Sequence, residues 1–205
     1  MHNLPEKDKM ICMILSGGLS SRMHTHKALL PFSANQNFLQ HIIEAYQNAG
    51  INKIIVIKNK EIDLPGMELD KNGYLLVNNS YPEKGRLFSI QLGISAAPDA
   101  DYCFIQNIDN PFVTKELIEQ LAAHKLTAGF VSPDYNGKGG HPVLLSSAIL
   151  KRIEGITDYG ITLREVLSEF PRYKFLTDDE RCTRNFNTKE EYEQYFSSYK
   201  IYTTA

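Results

Sequence analysis

Short apolar runs alternate with amphipathic segments along most of this chain. The apolar runs are bounded by glycine, proline and polar residues, as is typical of buried strands, and they lie at 10–15, 53–57, 74–77, 102–106, 128–132, 142–145 and 173–176. The segments between them show a helical period, and they lie at 38–49, 87–96, 115–124, 147–153, 162–169 and 189–195. The polar stretches 58–72 and 135–140 are predicted to be mobile loops.

This alternation predicts an α/β fold, namely a three-layer α/β/α Rossmann-like domain with a mostly parallel, mixed sheet. In such a domain the ligand binds at the carboxyl ends of the strands, near the point where the strand order reverses. The chain has 205 residues, 42% of them hydrophobic, which is enough for one sizeable core. We therefore expect a single domain over residues 10–205, preceded by a flexible N-terminus of residues 1–9.

Composition excludes several classes of function. The formal net charge of -2 argues against a protein that coats nucleic acid, but it allows small phosphorylated ligands. Cys12, Cys103 and Cys182 form no CxxC pair, so neither a disulfide framework nor a zinc site is expected. No apolar run approaches about 18 residues and the polar start has no signal-peptide core, so a cytoplasmic protein without a membrane partner is expected.

The segment after the first predicted strand carries the clearest chemical signal. Ser16, Gly17 and Gly18 break the strand, and Arg22 and Lys27 follow. Glycines let backbone N–H groups turn toward a phosphate, and the two cations add fixed positive charge. The spacing matches neither the P-loop nor GxGxxG, and an ordinary strand-to-loop turn is the competing interpretation.

Three further positions have a structural interpretation that competes with any functional one. Asp109 lies at the carboxyl end of a predicted strand that Pro111 ends, where it either serves a site or caps a turn. His141 precedes a proline at the start of a strand, where a histidine contacts substrate or is simply structural. Asn187 lies at or near the N-cap of the helix that follows it, and capping is a sufficient explanation for an asparagine there.

Several of these motifs together resemble one family. The string LSGGLSSRMHTHKALLPF is similar to the signature of the MobA-like nucleotidyltransferases, Leu-Ala-Gly/Ala-Gly-x-Ser-x-Arg-Met-Gly-x-x-Lys-x-Leu-Leu. Asp109 and Pro111 match the family's Asp-x-Pro, and the stretch from Asn79 through Ser89 matches its Asn-x5-Gly-x3-Ser-x3-Gly. GGHPVLLS and DYGITLREVL resemble acceptor-side segments of molybdenum-cofactor cytidylyltransferases, so the resemblance extends over most of the chain.

The resemblance implies a role for each matching residue. Arg22 would hold the β and γ phosphates of a nucleoside triphosphate, Lys27 the α-phosphate, and Asp109 a Mg²⁺ ion, with Mn²⁺ as an alternative. Asn187 stands where many relatives have a metal-binding Asp, and an amide oxygen would hold the metal more weakly. His24 and His26 replace the glycine and the acidic or amide residue of many relatives. The implied binding positions for nucleotide and acceptor are Leu15, Ser16, Gly17, Gly18, Ser20, Lys27, Asn79, Ser89 and His141.

The function implied by the resemblance is transfer of a nucleoside monophosphate from an NTP to molybdopterin or its molybdenum-loaded form, with release of pyrophosphate. A molybdoenzyme client is a further implied partner. Gly17 favours GTP by its identity, whereas the two acceptor-side segments favour CTP and decide the prediction. Two alternatives stay open: a sugar- or alcohol-phosphate nucleotidyltransferase, and a non-catalytic nucleotide-binding or cofactor-insertion chaperone.

Overall fold

The computed structural model describes residues 9–17, 26–64 and 73–198. The strands are β1 (Met10–Ser16), β2 (Ile54–Asn59), β3 (Tyr74–Asn79), β4 (Tyr102–Asn107), β5 (Phe130–Tyr135), β6 (Lys138–Gly139), β7 (Val143–Ser146) and β8 (Arg172–Leu176). The helices are α1 (Phe38–Asn48), α2 (Gly85–Ala96), α3 (Lys115–Ala123), α4 (Ser147–Glu154), α5 (Leu163–Ser168) and α6 (Lys189–Ser198). Every predicted strand and helix is present, and the α/β prediction is confirmed.

The strands form one mixed sheet in the order β3-β2-β1-β4-β7-β5-β6, with β8 pairing with β5. Strands β1 to β4 are parallel, whereas β7 runs antiparallel to both of its neighbours. The chain moves outward from β1 to β3 and then returns to place β4 on the other side of β1. This reversal creates a crevice at the carboxyl ends of β1 and β4, where α/β proteins bind ligands.

Two hydrophobic layers cover the sheet, one on each face. Alternate strand residues divide between them: Cys12 and Ile14 pack with α1, α3 and α6, whereas Ile11 and Met13 pack with α2, α4 and α5. This alternation follows from the two-residue period of a strand. The α2 helix approaches β1 so closely that a Cβ on Gly93 would lie 2.5 Å from the Met13 sulfur.

The structure corrects both loop predictions. Lys58 and Asn59 belong to β2 rather than to the loop that was predicted to begin there, because they pair with Asn78 and Asn79 of β3. Lys58 is buried, and its Nζ donates to the Ile62 carbonyl at 2.5 Å. The stretch 135–140 contains a hairpin between β5 and β6. Asn136 and Gly137 both have positive φ at its turn, as a tight two-residue hairpin requires.

Two other predictions concern parts of the chain that the structure covers only partly. Residues 1–8 of the predicted flexible N-terminus and residues 65–72 of the second predicted loop lie outside the described residues. Among the helices of the described ranges, none is long and apolar enough to cross a membrane.

Candidate active site

Three predicted site residues meet at the carboxyl end of β4. Lys27 begins a short 3₁₀ turn, Asp109 follows β4, and Asn187 precedes α6. The Lys27 Nζ lies 3.5 Å from Asp109 Oδ2 and 3.2 Å from Asn187 Oδ1. The Lys27 ammonium group therefore lies between a carboxylate oxygen and an amide oxygen from distant parts of the sequence. The space between these two oxygen atoms thus accommodates a cation.

His26 holds Lys27 in place. Its Nδ1 accepts from the Ala28 N–H at 3.3 Å, which caps the 3₁₀ turn. Because Nδ1 accepts, Nε2 carries the proton, and it lies 3.1 Å from the Ser16 carbonyl oxygen. His26 thus ties the start of the 3₁₀ turn to the end of β1, a structural role that the sequence resemblance did not suggest.

Asn110 attaches the C-terminal segment to the end of β4. Its buried Nδ2 donates to the carbonyl oxygens of Arg181, Cys182 and Arg184 at 3.2, 3.0 and 2.8 Å. The Phe186 N–H donates to the Asp109 carbonyl oxygen at 2.9 Å. These bonds fix the backbone that carries Asn187, so Asn110 positions one side of the site without facing it.

Thr188 rather than Asn187 caps helix α6. The Thr188 Oγ1 accepts from the Glu191 N–H at 3.2 Å, and Glu191 Oε2 accepts in return from the N–H groups of Asn187 and Thr188. This reciprocal arrangement is a capping box. The Asn187 side chain is therefore not used for capping, and its Oδ1 faces Lys27 instead.

A second group of predicted residues lies at the ends of β1 to β3. Asn79 Nδ2 donates to Ser89 Oγ at 3.1 Å, and a Cβ on Gly17 would lie 4.0 Å from the same oxygen. Asn59, at the end of β2, contributes a buried Nδ2 that has no hydrogen-bond partner among the described residues. Asn59 follows an apolar run, which could have marked it as a candidate site residue, but it was predicted to lie in a loop. Unpaired donors of this kind are suited to reading the edge of a base.

A third polar cluster joins α2 to β4 and the start of β7. Arg86 donates to Asn107 Oδ1, and Asn107 Nδ2 lies 2.8 Å from His141 Nε2. Burial, and secondarily the nearby Arg86 charge, lower the pKa of His141 from 6.5 to about 4. Burial lowers the pKa of Arg86 as well, and the Asp109 carboxylate partly offsets this effect. Arg86 was not singled out from the sequence, because it occupies an unspecified position of the matched stretch from Asn79 through Ser89.

The structure thus separates the predicted site residues into groups. Lys27, Asp109 and Asn187 converge at β4; Gly17, Asn79 and Ser89 lie toward β1 to β3; and His141 lies toward β7. The Leu15 carbonyl accepts from the Ile108 N–H at 3.2 Å and so links β1 to the loop carrying Asp109. Ser16 is buried at the end of β1, and its Oγ has no partner in the described part of the chain. Gly18, Ser20, Arg22 and His24 lie outside the described residues.

The oxygen atoms around Lys27 fit a divalent cation. Asp109 Oδ1 is buried and finds no hydrogen-bond partner within the described ranges, so one carboxylate oxygen is available. Within those ranges, no group of three His, Cys, Asp or Glu side chains is placed to hold a metal ion. Mg²⁺ commonly binds through one or two protein oxygens and completes its shell with phosphates and water. Asp109 and Asn187 therefore suit a metal that arrives with a nucleotide.

Comparison with known proteins gives consistent results. Residues 12–173 match the profile of the MobA-like NTP transferase domain. The molybdenum cofactor cytidylyltransferase of Escherichia coli K12 is 24% identical over 182 residues, which cover 88% of this chain and 92% of that protein. A probable molybdenum cofactor guanylyltransferase of Clostridium perfringens SM101 is 32% identical over 114 residues, 55% of this chain and 53% of that protein, so the match spans about half of its length.

A solved structure shows the same fold. Rv0371c of Mycobacterium tuberculosis H37Rv, in complex with manganese, aligns with a TM-score of 0.72 at 17% identity. The alignment covers 93% of this chain and 99% of that one. Because the family profile spans most of the chain and includes Lys27 and Asp109, the sequence resemblance is confirmed. The chain belongs to the MobA-like NTP transferase family and is a nucleotidyltransferase.

Proposed function

We propose that this protein transfers a nucleoside monophosphate from CTP, in preference to GTP, to the phosphate of a molybdopterin-type acceptor and releases pyrophosphate. The observation that carries the proposal is the position of the Lys27 ammonium between Asp109 Oδ2 and Asn187 Oδ1. It supports a site in which protein cations and a metal neutralise a triphosphate at the carboxyl end of β4.

The reaction requires positioning and charge neutralisation more than covalent help from the protein. Lys27 is only partly exposed, so its charge is weakly screened and would stabilise the negative charge that develops on the α-phosphate. No general base is needed, because an acceptor phosphate is already a dianion near neutral pH. Arg22, which lies outside the described residues, is proposed to bind the β and γ phosphates.

Asp109 and Asn187 would hold the divalent cation. Asp109 Oδ1 is free to bind it, and the Lys27 Nζ now stands close to Asp109 Oδ2 and Asn187 Oδ1. When bound, Mg²⁺ or Mn²⁺ neutralises phosphate charge and orients the leaving group. The manganese in Rv0371c supports a divalent cation in this fold.

The choice of base rests on a structural comparison and a sequence comparison. A Cβ on Gly17 would make ordinary van der Waals contacts, 3.9 Å from the backbone nitrogen of Asn59 and 4.0 Å from Ser89 Oγ. The glycine therefore leaves about one methyl group of space beside Ser89, which accommodates either base. The relative that aligns over nearly its whole length is a cytidylyltransferase, whereas the guanylyltransferase aligns over about half, which favours CTP.

The test is pyrophosphate release from each of the four NTPs with Mg²⁺, with and without molybdopterin, followed by identification of the product by mass. We expect acceptor-dependent release with CTP and a cytosine dinucleotide as product. A guanine dinucleotide as the main product would reverse the choice of base. Release that depends on a sugar phosphate or alcohol phosphate but not on molybdopterin would contradict the proposed acceptor.

Gly17→Ala sharpens the choice of base. The structure has room for the added methyl, so the fold and CTP turnover should be retained. GTP turnover should fall by about tenfold, because one methyl group in a filled pocket changes specificity by roughly 1–3 kcal/mol. Competition between CTP and GTP at equal concentration measures the ratio, and an unchanged ratio would show that Gly17 does not line the base pocket.

A further inference from the structure

Arg86 lies beside the proposed reaction centre and forms no ion pair with any residue that the structure describes. It lies in the first turn of α2, and its guanidinium reaches across to Asn107 at the end of β4. The Asp109 carboxylate is near enough to act on the charge of Arg86, but the two groups form no salt bridge. Within the described ranges no other carboxylate pairs with Arg86 either, so its charge is available to an anion.

Arg172 shows how this fold treats an arginine that has only a structural role. The Arg172 guanidinium binds Asp134 Oδ2 at 3.1 Å, Ser132 Oγ at 2.9 Å and the Pro133 carbonyl oxygen at 3.4 Å. Its charge and most of its donors are satisfied by protein atoms. Among the described residues Arg86 has a single hydrogen-bond partner, the Asn107 amide, although a guanidinium presents five N–H donors.

His141 provides a second, independent observation. Arginine can only donate, so Asn107 Oδ1 accepts from Arg86 and Asn107 Nδ2 must donate to His141 Nε2. The neutral imidazole then carries its proton on Nδ1. That nitrogen is buried and has no hydrogen-bond partner in the described part of the chain. A buried donor without an acceptor is rare in folded proteins and marks a place where a partner is missing.

The Arg86 guanidinium and the His141 ring meet at Asn107, two residues before Asp109. Gly17, Asn79 and Ser89 lie toward β1 to β3, whereas Asn107 ends β4 and His141 lies two residues before β7. Arg86 starts on α2 one turn before Ser89, but its guanidinium reaches the end of β4. An anion bound between Arg86 and His141 would therefore lie beside an α-phosphate at Asp109.

We propose that Arg86 and His141, held together by Asn107, form the subsite for the phosphomonoester of the acceptor. This assignment rests on the proposed nucleotidyl transfer. Arg86 binds two oxygens of the acceptor phosphate and His141 donates to it through a small rotation of its ring. The third phosphate oxygen attacks the α-phosphorus. One P–O bond forms, the bond between the α-phosphorus and the bridging oxygen breaks, and its electron pair leaves on pyrophosphate.

Two measurements on the intact protein test the subsite and the identity of the acceptor separately. The first is the KM for molybdopterin with CTP. The second is the binding of inorganic phosphate, followed by ³¹P NMR, to protein saturated with Mg²⁺ and α,β-methylene-CTP. Arg86→Gln should raise the KM and weaken phosphate binding by roughly 10- to 100-fold, because hydrogen bonds to a charged group are lost. The affinity for the CTP analogue should change by less than about twofold.

Arg86→Lys and Arg152→Gln are the matched variants. The lysine keeps the charge but not the planar fork, so it should recover part of the phosphate affinity. Arg152 lies on α4 and forms an exposed salt bridge with Glu169, and replacing it removes the same charge from a position outside the proposed site. Arg152→Gln should change neither constant.

Each alternative outcome has a distinct meaning. Weaker binding of the CTP analogue with unchanged phosphate binding would place Arg86 in the NTP site and overturn the proposal. Absence of phosphate binding in the parent protein, or an equal effect of Arg152→Gln, would overturn it too. Arg86-dependent phosphate binding without turnover of molybdopterin would support the subsite and contradict the proposed acceptor.

Discussion

Asp109 and Asp134 lie at the ends of different strands of the same sheet, but their surroundings differ. The Asp134 carboxylate is buried and both of its oxygen atoms have protein donors. Oδ1 accepts from the Gly137 N–H at 2.9 Å, and Oδ2 accepts from Arg172 at 3.1 Å. Among the described residues, Lys27 alone contacts Asp109 Oδ2, at 3.5 Å, and Asp109 Oδ1 has no hydrogen-bond partner. The side chain of Asp134 is 3% exposed and that of Asp109 is 25% exposed.

The difference teaches how to separate a structural carboxylate from a functional one. A carboxylate that stabilises the fold has its lone pairs satisfied by the protein, because an unsatisfied buried oxygen costs free energy. A carboxylate that binds a metal or substrate must keep some of them available, so the protein leaves it partly unsatisfied. By this criterion Asp134 supports the β5–β6 hairpin and β8, whereas Asp109 is available for chemistry.

The largest expected effect comes from exchanging each carboxylate for an amide. Asp109→Asn should reduce pyrophosphate release by about 10³-fold or more, because metal-bound phosphates contribute several kcal/mol of charge stabilisation, and should leave unfolding nearly unchanged. Asp134→Asn should lower the free energy of unfolding by roughly 3 kcal/mol, since it leaves Arg172 without its counter-charge. Denaturant unfolding and pyrophosphate assays on both variants measure the contrast. Parent activity that excess EDTA leaves unchanged would contradict this expectation. So would a loss of stability in Asp109→Asn without one in Asp134→Asn.

Lys27→Ala is the next largest change. Removing one preorganised donor from the α-phosphate should slow turnover by roughly 10²- to 10³-fold, on the order of 3–4 kcal/mol. Stability should be retained, because His26 rather than the Lys27 side chain fixes the 3₁₀ turn. Arg172→Gln, the matched loss of the cation at Asp134, should instead destabilise the fold and leave the rate per folded molecule unchanged. A Lys27→Ala variant with the parental rate would remove Lys27 from the mechanism.

The pH dependence of stability should come from His141. Its pKa is about 4 in the folded protein and about 6.5 when unfolded, so the unfolded state binds more protons as the pH falls between these values. The contribution of His141 to the free energy of unfolding is therefore complete above pH 6.5 and is lost as the pH falls toward 4. Each pKa unit corresponds to about 1.4 kcal/mol, so the loss should reach roughly 3 kcal/mol. Unfolding of the parent and of His141→Gln across this range measures it, and an equally steep decline in the variant would identify another group.

Asn187→Asp is expected to have the smallest effect. A second carboxylate should tighten Mn²⁺ binding in the presence of a CTP analogue by about tenfold, because a charged oxygen is a stronger ligand for a hard cation than an amide oxygen. The α6 cap uses Thr188, so stability should change by less than about 0.5 kcal/mol. Titration of Mn²⁺ followed by electron paramagnetic resonance measures the change. Unchanged Mn²⁺ affinity would show that position 187 is not a metal ligand.

Local pattern predicted the fold well and suggested some residues of the candidate site. The β1 and β4 strands were recognisable because each is a short apolar run, and Lys27 and Asp109 follow recognisable motifs. The contact between Lys27 and Asn187 was not predicted, because it joins positions 160 residues apart. Local sequence carries no physical information about such a pairing.

Arg86 and Asn110 were missed for different reasons. Arg86 lies in a helix and looks like an ordinary surface cation until its guanidinium is seen at Asn107. Asn110 follows a strand and looks like a turn residue, although its amide binds three carbonyl oxygens of residues 181–184. The caps of α6 could not be resolved from sequence either, since Asn187 and Thr188 are both good capping residues.

The attachment of residues 181–187 to the end of β4 has a consequence for folding. Loop closure over such a separation is slow and entropically costly, so these contacts are expected to form after the parallel strands β1 to β4 have assembled. On the ribosome, a chain that has already built its nucleotide crevice would still lack Asn187 beside Lys27. Catalytic competence should therefore be acquired last, when residues 181–187 dock against Asn110, which delays turnover until that segment has been synthesised.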